Sequence, residues 1–213
     1  FRNEGISNRH NPEFTMLECY EAYGDYHVHM ELTEQLVAAL AEELTGSTTV
    51  TYDGRDVDLS APWKRATLAE LTSERVGRDI DVHTPLDELR AICDEHHIPH
   101  EDSWGSGKLL LEIYEKTTEH DLWDPVFVTD YPAEVSPLSR THRDDPELVE
   151  RFEGIVVGRE LCNGFSELTD PDEQRRRFAD QAAQRDAGDD EAMAVDHDYL
   201  RALDYGLPPT VCL

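Results

Sequence analysis

Two stretches of this chain alternate with a period of two on either side of a loop, and together they restrict the fold more than anything else in it. The first covers residues 1–20: Arg2 and Glu4 precede a polar loop carrying Arg9 and His10, and Phe14, Met16, Glu18 and Tyr20 follow it. Alternate residues of a strand share a face. A cation, an aromatic plate, two carboxylates and a phenol would therefore converge beside the loop. That set suits a nucleotide phosphate together with a small cationic substrate. The second stretch is a hairpin, with Phe152 to Val157 and Glu160 to Leu168 arranged about Gly158-Arg159. Hairpin connections pair strands antiparallel. With helices between the strands, the expectation is an α+β fold, an antiparallel sheet flanked by helices.

The helical signals lie between these stretches. Val28, Leu32, Leu36, Leu40 and Leu44 recur every four residues, which predicts a helix from Tyr26 to Leu44 stopped by Gly46. Asp53-Gly54 predicts a short hairpin within Thr48 to Leu59. Thr67-Leu68-Ala69-Glu70 is a capping box and should start a helix. Apolar periodicity at Leu86–Cys93 and Leu109–Tyr114 extends the helical reading, so that about 65–122 is a helical insertion in one domain of residues 1–213. Val126-Phe127-Val128 is a short buried strand. Asp170-Pro171 pairs an N-cap with proline at the first helical position, opening a helix to Ala187 before Gly188. A last helix runs from about Asp198 to Tyr205.

No apolar run reaches the roughly 18 residues of a membrane span, and the polar N-terminus carries no leader; the expectation is a cytoplasmic protein with no membrane partner. Acidic residues outnumber basic ones 47 to 19, for a net charge of −28. Such a surface repels nucleic acid but is tolerated at high salt, where the Debye length falls to about 3 Å at 1 M. Dense acid with only three lysines, Lys64, Lys108 and Lys116, fits a halophilic setting. Cys19, Cys93, Cys162 and Cys212 show no paired zinc-ligand spacing and read as free thiols. His96, His97, His100, Glu101 and Asp102 read as a solvated interhelical loop rather than a metal site.

The run Phe1-Arg2-Asn3-Glu4-Gly5-Ile6-Ser7 … Arg9-His10-Asn11-Pro12-Glu13-Phe14 … Glu18 … Tyr20 closely resembles the second signature motif of class II lysyl-tRNA synthetases. The resemblance continues through Asp130-Tyr131-Pro132-Ala133-Glu134-Val135-Ser136-Pro137-Leu138, Arg151-Phe152-Glu153, Gly158-Arg159-Glu160 and Asn163-Gly164-Phe165-Ser166-Glu167-Leu168-Thr169-Asp170. It resumes at Gly188 to Met193 and at Tyr205-Gly206-Leu207-Pro208-Pro209-Thr210, and is weakest from about Thr45 to Ser103.

This resemblance implies the synthetase catalytic fold, with L-lysine, ATP and tRNA(Lys) as substrates, Mg2+ as cofactor and a homodimeric full-length enzyme. It assigns Arg2 as the catalytic cation on the α-phosphate and substrate carboxylate. Glu4 would sit near the adenine amino group, Arg9 and His10 on the distal phosphates, and Phe14 stacked on adenine. Glu153 and Glu160 match the magnesium pair. Glu18, Glu167 and the Tyr20 hydroxyl surround the substrate amine, with Asn163 and Phe165 lining the same pocket. On spacing alone Arg2 is equally an ion-pair partner of Glu4, Phe14 a core aromatic, and the two glutamates a pair on a solvated sheet face. A two-residue turn at Gly158-Arg159 sets Glu153 opposite Gly164, about 13 Å along the ladder from Glu160 and too far to share an ion. Glu160 also has the wrong parity to join Asn163, Phe165 and Glu167. A β-bulge near Leu161-Cys162 would bring all four to one face.

The family pattern extends upstream into an anticodon-binding barrel, a first signature motif and part of the lysine pocket. Downstream it runs past Pro208-Pro209-Thr210 into a glycine-rich strand and an arginine-bearing helix. The expectation is a truncated synthetase, weakly active at best in isolation. The alternatives are a paralogue that lysylates a protein or serves lipid lysylation, or a non-catalytic ATP-binding module.

Overall fold

A computed structural model describes residues 6, 11–186 and 194–213. Six strands form the main sheet: β1 (Tyr20–Ala22), β4 (Lys64–Thr67), β5 (Val126–Pro132), β6 (Leu148–Val156), β7 (Arg159–Ser166) and β8 (Thr210–Cys212). Their spatial order is β1-β8-β7-β6-β5-β4. Every neighbouring pair is antiparallel except β4 and β5, which run parallel. Parallel neighbours need a long crossover, and α2 (Leu68–Val76), α3 (Leu86–Glu95) and α4 (Ser106–Thr117) supply it. The sheet is thus mostly antiparallel, with one parallel pair at its edge that the sequence reading did not anticipate. The hairpin β2 (Thr49–Tyr52) and β3 (Arg55–Asp58) forms a separate small sheet about the expected Asp53-Gly54 turn.

Helix α1 (Tyr26–Thr45) ends where expected, with Gly46 left-handed at φ 81°. Its buried face is not the four-residue leucine stripe. Tyr26, Met30, Thr33, Glu34 and Ala41 are buried, whereas Val28, Leu32, Leu40 and Leu44 are 39–79% exposed. The reason is geometric. Each step of four residues advances about 40° beyond a full turn, so a strict four-residue repeat from Val28 to Leu44 winds about 160° around the helix. The face that meets the sheet follows the mixed three- and four-residue spacing instead. Helix α2 begins with the predicted capping box, Thr67 and Glu70 each satisfying the other's backbone N–H. Helices α5 (Pro171–Asp186) and α6 (His197–Asp204) follow the sheet hairpin; Asp170 accepts from the N–H groups of Asp172 and Glu173 at the start of α5. Gly188 and the stretch to Met193 lie outside the described residues.

The sheet buries both faces. On one, Leu71, Leu89, Ile92, Leu109, Leu110 and Ile113 of α2–α4 pack on Val126, Val128, Val149 and Ile155. On the other, α1 places Tyr26 and Met30 against Phe127, Phe152 and Val211. These two layers hold β5 and β6 rigidly and leave the β7-β8-β1 end of the first face to carry polar groups.

Candidate functional site

Two irregularities determine which side chains reach that polar area. In β5 the register shifts between Thr129 and Tyr131, with Asp130 at φ 60°. Two steps along β5 there match three along β6, so Asp130 stands opposite both Glu150 and Arg151 and the side-chain parity of β5 reverses beyond it; Tyr131 joins Val128 on the same face. In β7 the turn is Val157-Gly158, both at positive φ, and Val156 pairs with Arg159. The turn thus sits one residue earlier than expected. Positive φ at both central residues matches the twist of a two-residue hairpin, which Gly158-Arg159 supports less well. Ile155 then pairs with Glu160, Gly154 with Cys162 and Glu153 with Asn163. Leu161 is the extra residue, at the position where a bulge was expected.

The displaced turn changes the geometry of the Glu153 and Glu160 carboxylates, because it sets Glu160 opposite Ile155 rather than Val157. Glu153 and Glu160 now lie on one face, one strand across and two residues along, about 8 Å between Cα atoms from the ladder spacings. That replaces the 13 Å of a regular hairpin. Glu153 is 9% exposed and accepts a 2.6 Å bond from Arg151 Nη2; Glu160 is exposed. Two carboxylates at this separation suit a hard cation that takes one or two protein carboxylates and completes its shell with phosphate oxygens and water. No cluster of three or more metal-ligating side chains exists among the described residues.

Paired residues face the same side, and one row crosses four strands: Arg151 opposite Phe165, Phe165 opposite Cys212, and Cys212 opposite Tyr20. Glu167 follows Phe165 by two residues, its N–H bonded to Thr210 O at 2.8 Å. Burial raises the Glu167 carboxyl above its usual range, offset in part by a hydrogen bond from the Cys212 thiol. The Cys212 thiol is pushed up to about 12, first by burial and then by the charge of Glu167. The Tyr20 phenol is raised by burial, by its neighbours Glu18, Cys212 and Glu167, and by a hydrogen bond to Glu18. Tyr199 of α6 is raised by burial and then by Glu167, Cys212 and Tyr20. Glu18, Tyr20 and Glu167 therefore share one electrostatic neighbourhood with the thiol and a second phenol. Two carboxylates crowded with phenols and no ion-pair partner for Glu167 among the described residues form a site that a cation would stabilise.

Arg2, Glu4, Arg9 and His10 lie outside the described residues, and so does the strand expected around Arg2 and Glu4. Phe14 is described and is 42% exposed. The strand expected through Phe14, Met16 and Glu18 is not formed: regular pairing starts at Tyr20, after Cys19 and Leu213 exchange both backbone bonds. Residues 14–18 have no ladder partner among the described residues, and alternation without pairing does not fix a face. Asn163 and Glu167 lie where the bulge carries them, Asn163 exposed and Phe165 half-buried. Sequence reasoning missed Cys212 and Tyr199, because neither belongs to an alternating run with the other pocket residues. Arg151 was visible as a cation two residues before Glu153 in an otherwise buried strand.

A family model described as tRNA synthetases class II (D, K and N) matches residues 1–212. The chain is similar to the lysine–tRNA ligases of Synechococcus sp. (strain CC9605), at 51% identity over 212 residues, and of Chromohalobacter salexigens, at 52% over 214. It is also 47% identical over 209 residues to that of Moorella thermoacetica. These matches cover 98–99% of this chain and 42–43% of those proteins, so the chain spans about two fifths of the curated relatives it matches.

Proposed function

The chain belongs to the class II tRNA synthetases of the D, K and N group, and from that premise we propose that it is catalytic core of a lysine–tRNA ligase. Its reaction is ATP-dependent formation of lysyl-adenylate, followed by transfer of the lysyl group to tRNA(Lys). The observation that carries this reading is the convergence of Glu18, Tyr20 and Glu167 around a site electrostatically suited to an ammonium group.

Activation joins a lysine carboxylate oxygen to the α-phosphorus of ATP as the bond to the β-phosphate oxygen breaks and pyrophosphate leaves. The protein's part is to hold two anions together and to neutralise the charge that grows between them. Glu18 and Glu167, with the Tyr20 hydroxyl, bind and orient the side-chain ammonium, which needs paired charge once out of water. Phe165 packs along the aliphatic stem, and Asn163 faces the aminoacyl end. Arg2 takes the α-phosphate and carboxylate, Glu4 the adenine amino group, Arg9 and His10 the outer phosphates, and Phe14 the adenine ring. Glu153 and Glu160 would hold Mg2+, which when bound neutralises phosphate charge during pyrophosphate departure.

The domain is a partial class II catalytic unit with a helical insertion at about 65–122. The assembled enzyme is a cytoplasmic homodimer without a membrane partner. No helix among the described residues is long and apolar enough to cross a membrane.

Amino-acid-dependent exchange of pyrophosphate into ATP tests the reading in the intact polypeptide that carries this chain. Exchange driven by lysine, and weakly by ornithine or norleucine, supports it; exchange driven equally by a neutral amino acid refutes it. Charging of tRNA(Lys), rather than of a protein acceptor, then separates the translational enzyme from a paralogue.

A further inference from the structure

Between the carboxylate pair and the ammonium neighbourhood sits a guanidinium with three partners. Arg151 donates from Nη2 to Glu153 Oε1 at 2.6 Å, from Nε to Asn163 Oδ1 at 3.1 Å and from Nη1 to Ser136 Oγ at 2.9 Å. Its plane lies over the Tyr131 ring, 4.6 Å from the centroid, a placement that depends on the register shift at Asp130. The side chain is 18% exposed. Ser136 is itself held: Arg177, 5% exposed, donates to the Ser136 and Ser139 carbonyls and to Thr141 Oγ1. The guanidinium is thus clamped from one side and reaches both halves of the site from the other.

Guanidinium has only donors, so the amide atom of Asn163 facing it must be the oxygen. The NH2 end is thereby turned the other way.

We propose that Arg151 is a positioning residue that sets the polarity of the substrate pocket: it locks the Asn163 amide so that its NH2 donates to an oxygen of the aminoacyl group, and it ties that amide to the Glu153 carboxylate of the cation site. This rests on the lysyl-adenylate reading given above. A charge-only role would be served equally by lysine, a point charge that cannot bond Ser136, Glu153 and Asn163 in one plane. The lock also makes Asn163 selective for an acceptor. An amide free to rotate would offer its oxygen to a substrate ammonium just as readily.

The test is calorimetric binding of a non-hydrolysable sulfamoyl analogue of lysyl-adenylate to the intact chain, with thermal unfolding of each variant alongside. Asn163→Asp keeps an acceptor for Arg151 and removes the NH2 donor; it should weaken binding by about tenfold or more, the cost of leaving a buried acceptor without its donor, with an unchanged melting temperature. Arg151→Lys should weaken binding by a similar factor. In an Asn163→Ala background the same Arg151→Lys change should alter binding by no more than about twofold, because non-additivity reports an effect that passes through the partner. Equal losses in both backgrounds, or an Asn163→Asp variant that binds as tightly as the parent or more so, would overturn the positioning role while leaving the lysyl-adenylate reading intact. A parent chain that binds the lysyl analogue no better than its norleucyl counterpart would remove that reading, and this inference with it. Should Arg151→Lys fail to fold, Asn163→Asp alone still decides the orientation.

Discussion

Replacing Glu167 by glutamine is the perturbation whose two consequences have opposite signs. The carboxyl is half-buried, lies beside the Cys212 thiol and is raised above its usual range chiefly by burial. The folded ligand-free protein therefore holds that proton more readily than the unfolded chain. Stability contributed by such a group is present at low pH and lost as pH rises through the raised value. At pH 7.5 the ionised carboxylate is a burden on the empty fold, and glutamine of the same size relieves it: the melting temperature should stay level or rise. Binding moves the other way. An ammonium and a carboxylate about 4 Å apart attract by roughly 4 kcal/mol at an effective dielectric of 20. Desolvation of the ligand cancels part of this, leaving about 2–3 kcal/mol, a loss of roughly 30- to 150-fold in lysine affinity. In the parent, lysine affinity should also fall as pH is lowered toward the raised Glu167 value. Calorimetric titration and thermal unfolding of the same samples measure both effects. Lysine affinity unchanged within about twofold, or a marked drop in ligand-free stability, would rule out Glu167 as the ammonium partner.

Three further outcomes follow from the fold. Gly164→Ala should destabilise by about 1–3 kcal/mol through overpacking, since the added Cβ would meet Phe152 Cζ at 2.6 Å and the Cys212 carbonyl at 2.7 Å; denaturant unfolding measures it. Glu134→Ala should cost about 1–2 kcal/mol by the same assay, because this carboxylate accepts from the N–H groups of Gly105, Gly107 and Lys108 and caps α4 from outside the helix. With a net charge of −28, the melting temperature should rise between 0.1 and about 2 M KCl as self-repulsion is screened; a flat response would count against the halophilic reading.

Local chemistry was legible where one residue decides an element. The Thr67–Glu70 capping box, the Gly46 stop, the Asp53-Gly54 turn and the Asp170-Pro171 start depend on side chains acting on their own backbone. What the sequence hid were long-range choices. The parallel pairing of β4 with β5 needs the whole α2–α4 crossover to be seen first. The buried face of α1 was not legible from its four-residue repeat, because such a repeat is not a helical period. The hairpin turn was displaced by one residue, which brought Glu160 to within two residues of Glu153 along the ladder, and the bulge that parity demanded at Leu161 put Asn163, Phe165 and Glu167 on the face of Glu160. In the site, Glu18, Tyr20, Phe165 and Glu167 could be grouped from sequence, but Cys212 and Tyr199 arrive from β8 and α6, whose approach to β7 no local pattern announces.

On the proposed function, the acids at 18 and 167, with the Tyr20 phenol, form a slot for a primary ammonium. Its most direct test is the ratio of dissociation constants for the lysyl and norleucyl forms of one sulfamoyl-adenosine analogue, which share the chain length up to the terminal group. A preference for the lysyl form of about 30-fold or more at pH 7.5, abolished in Glu167→Gln, is the expected result. Equal affinity for the two would contradict it.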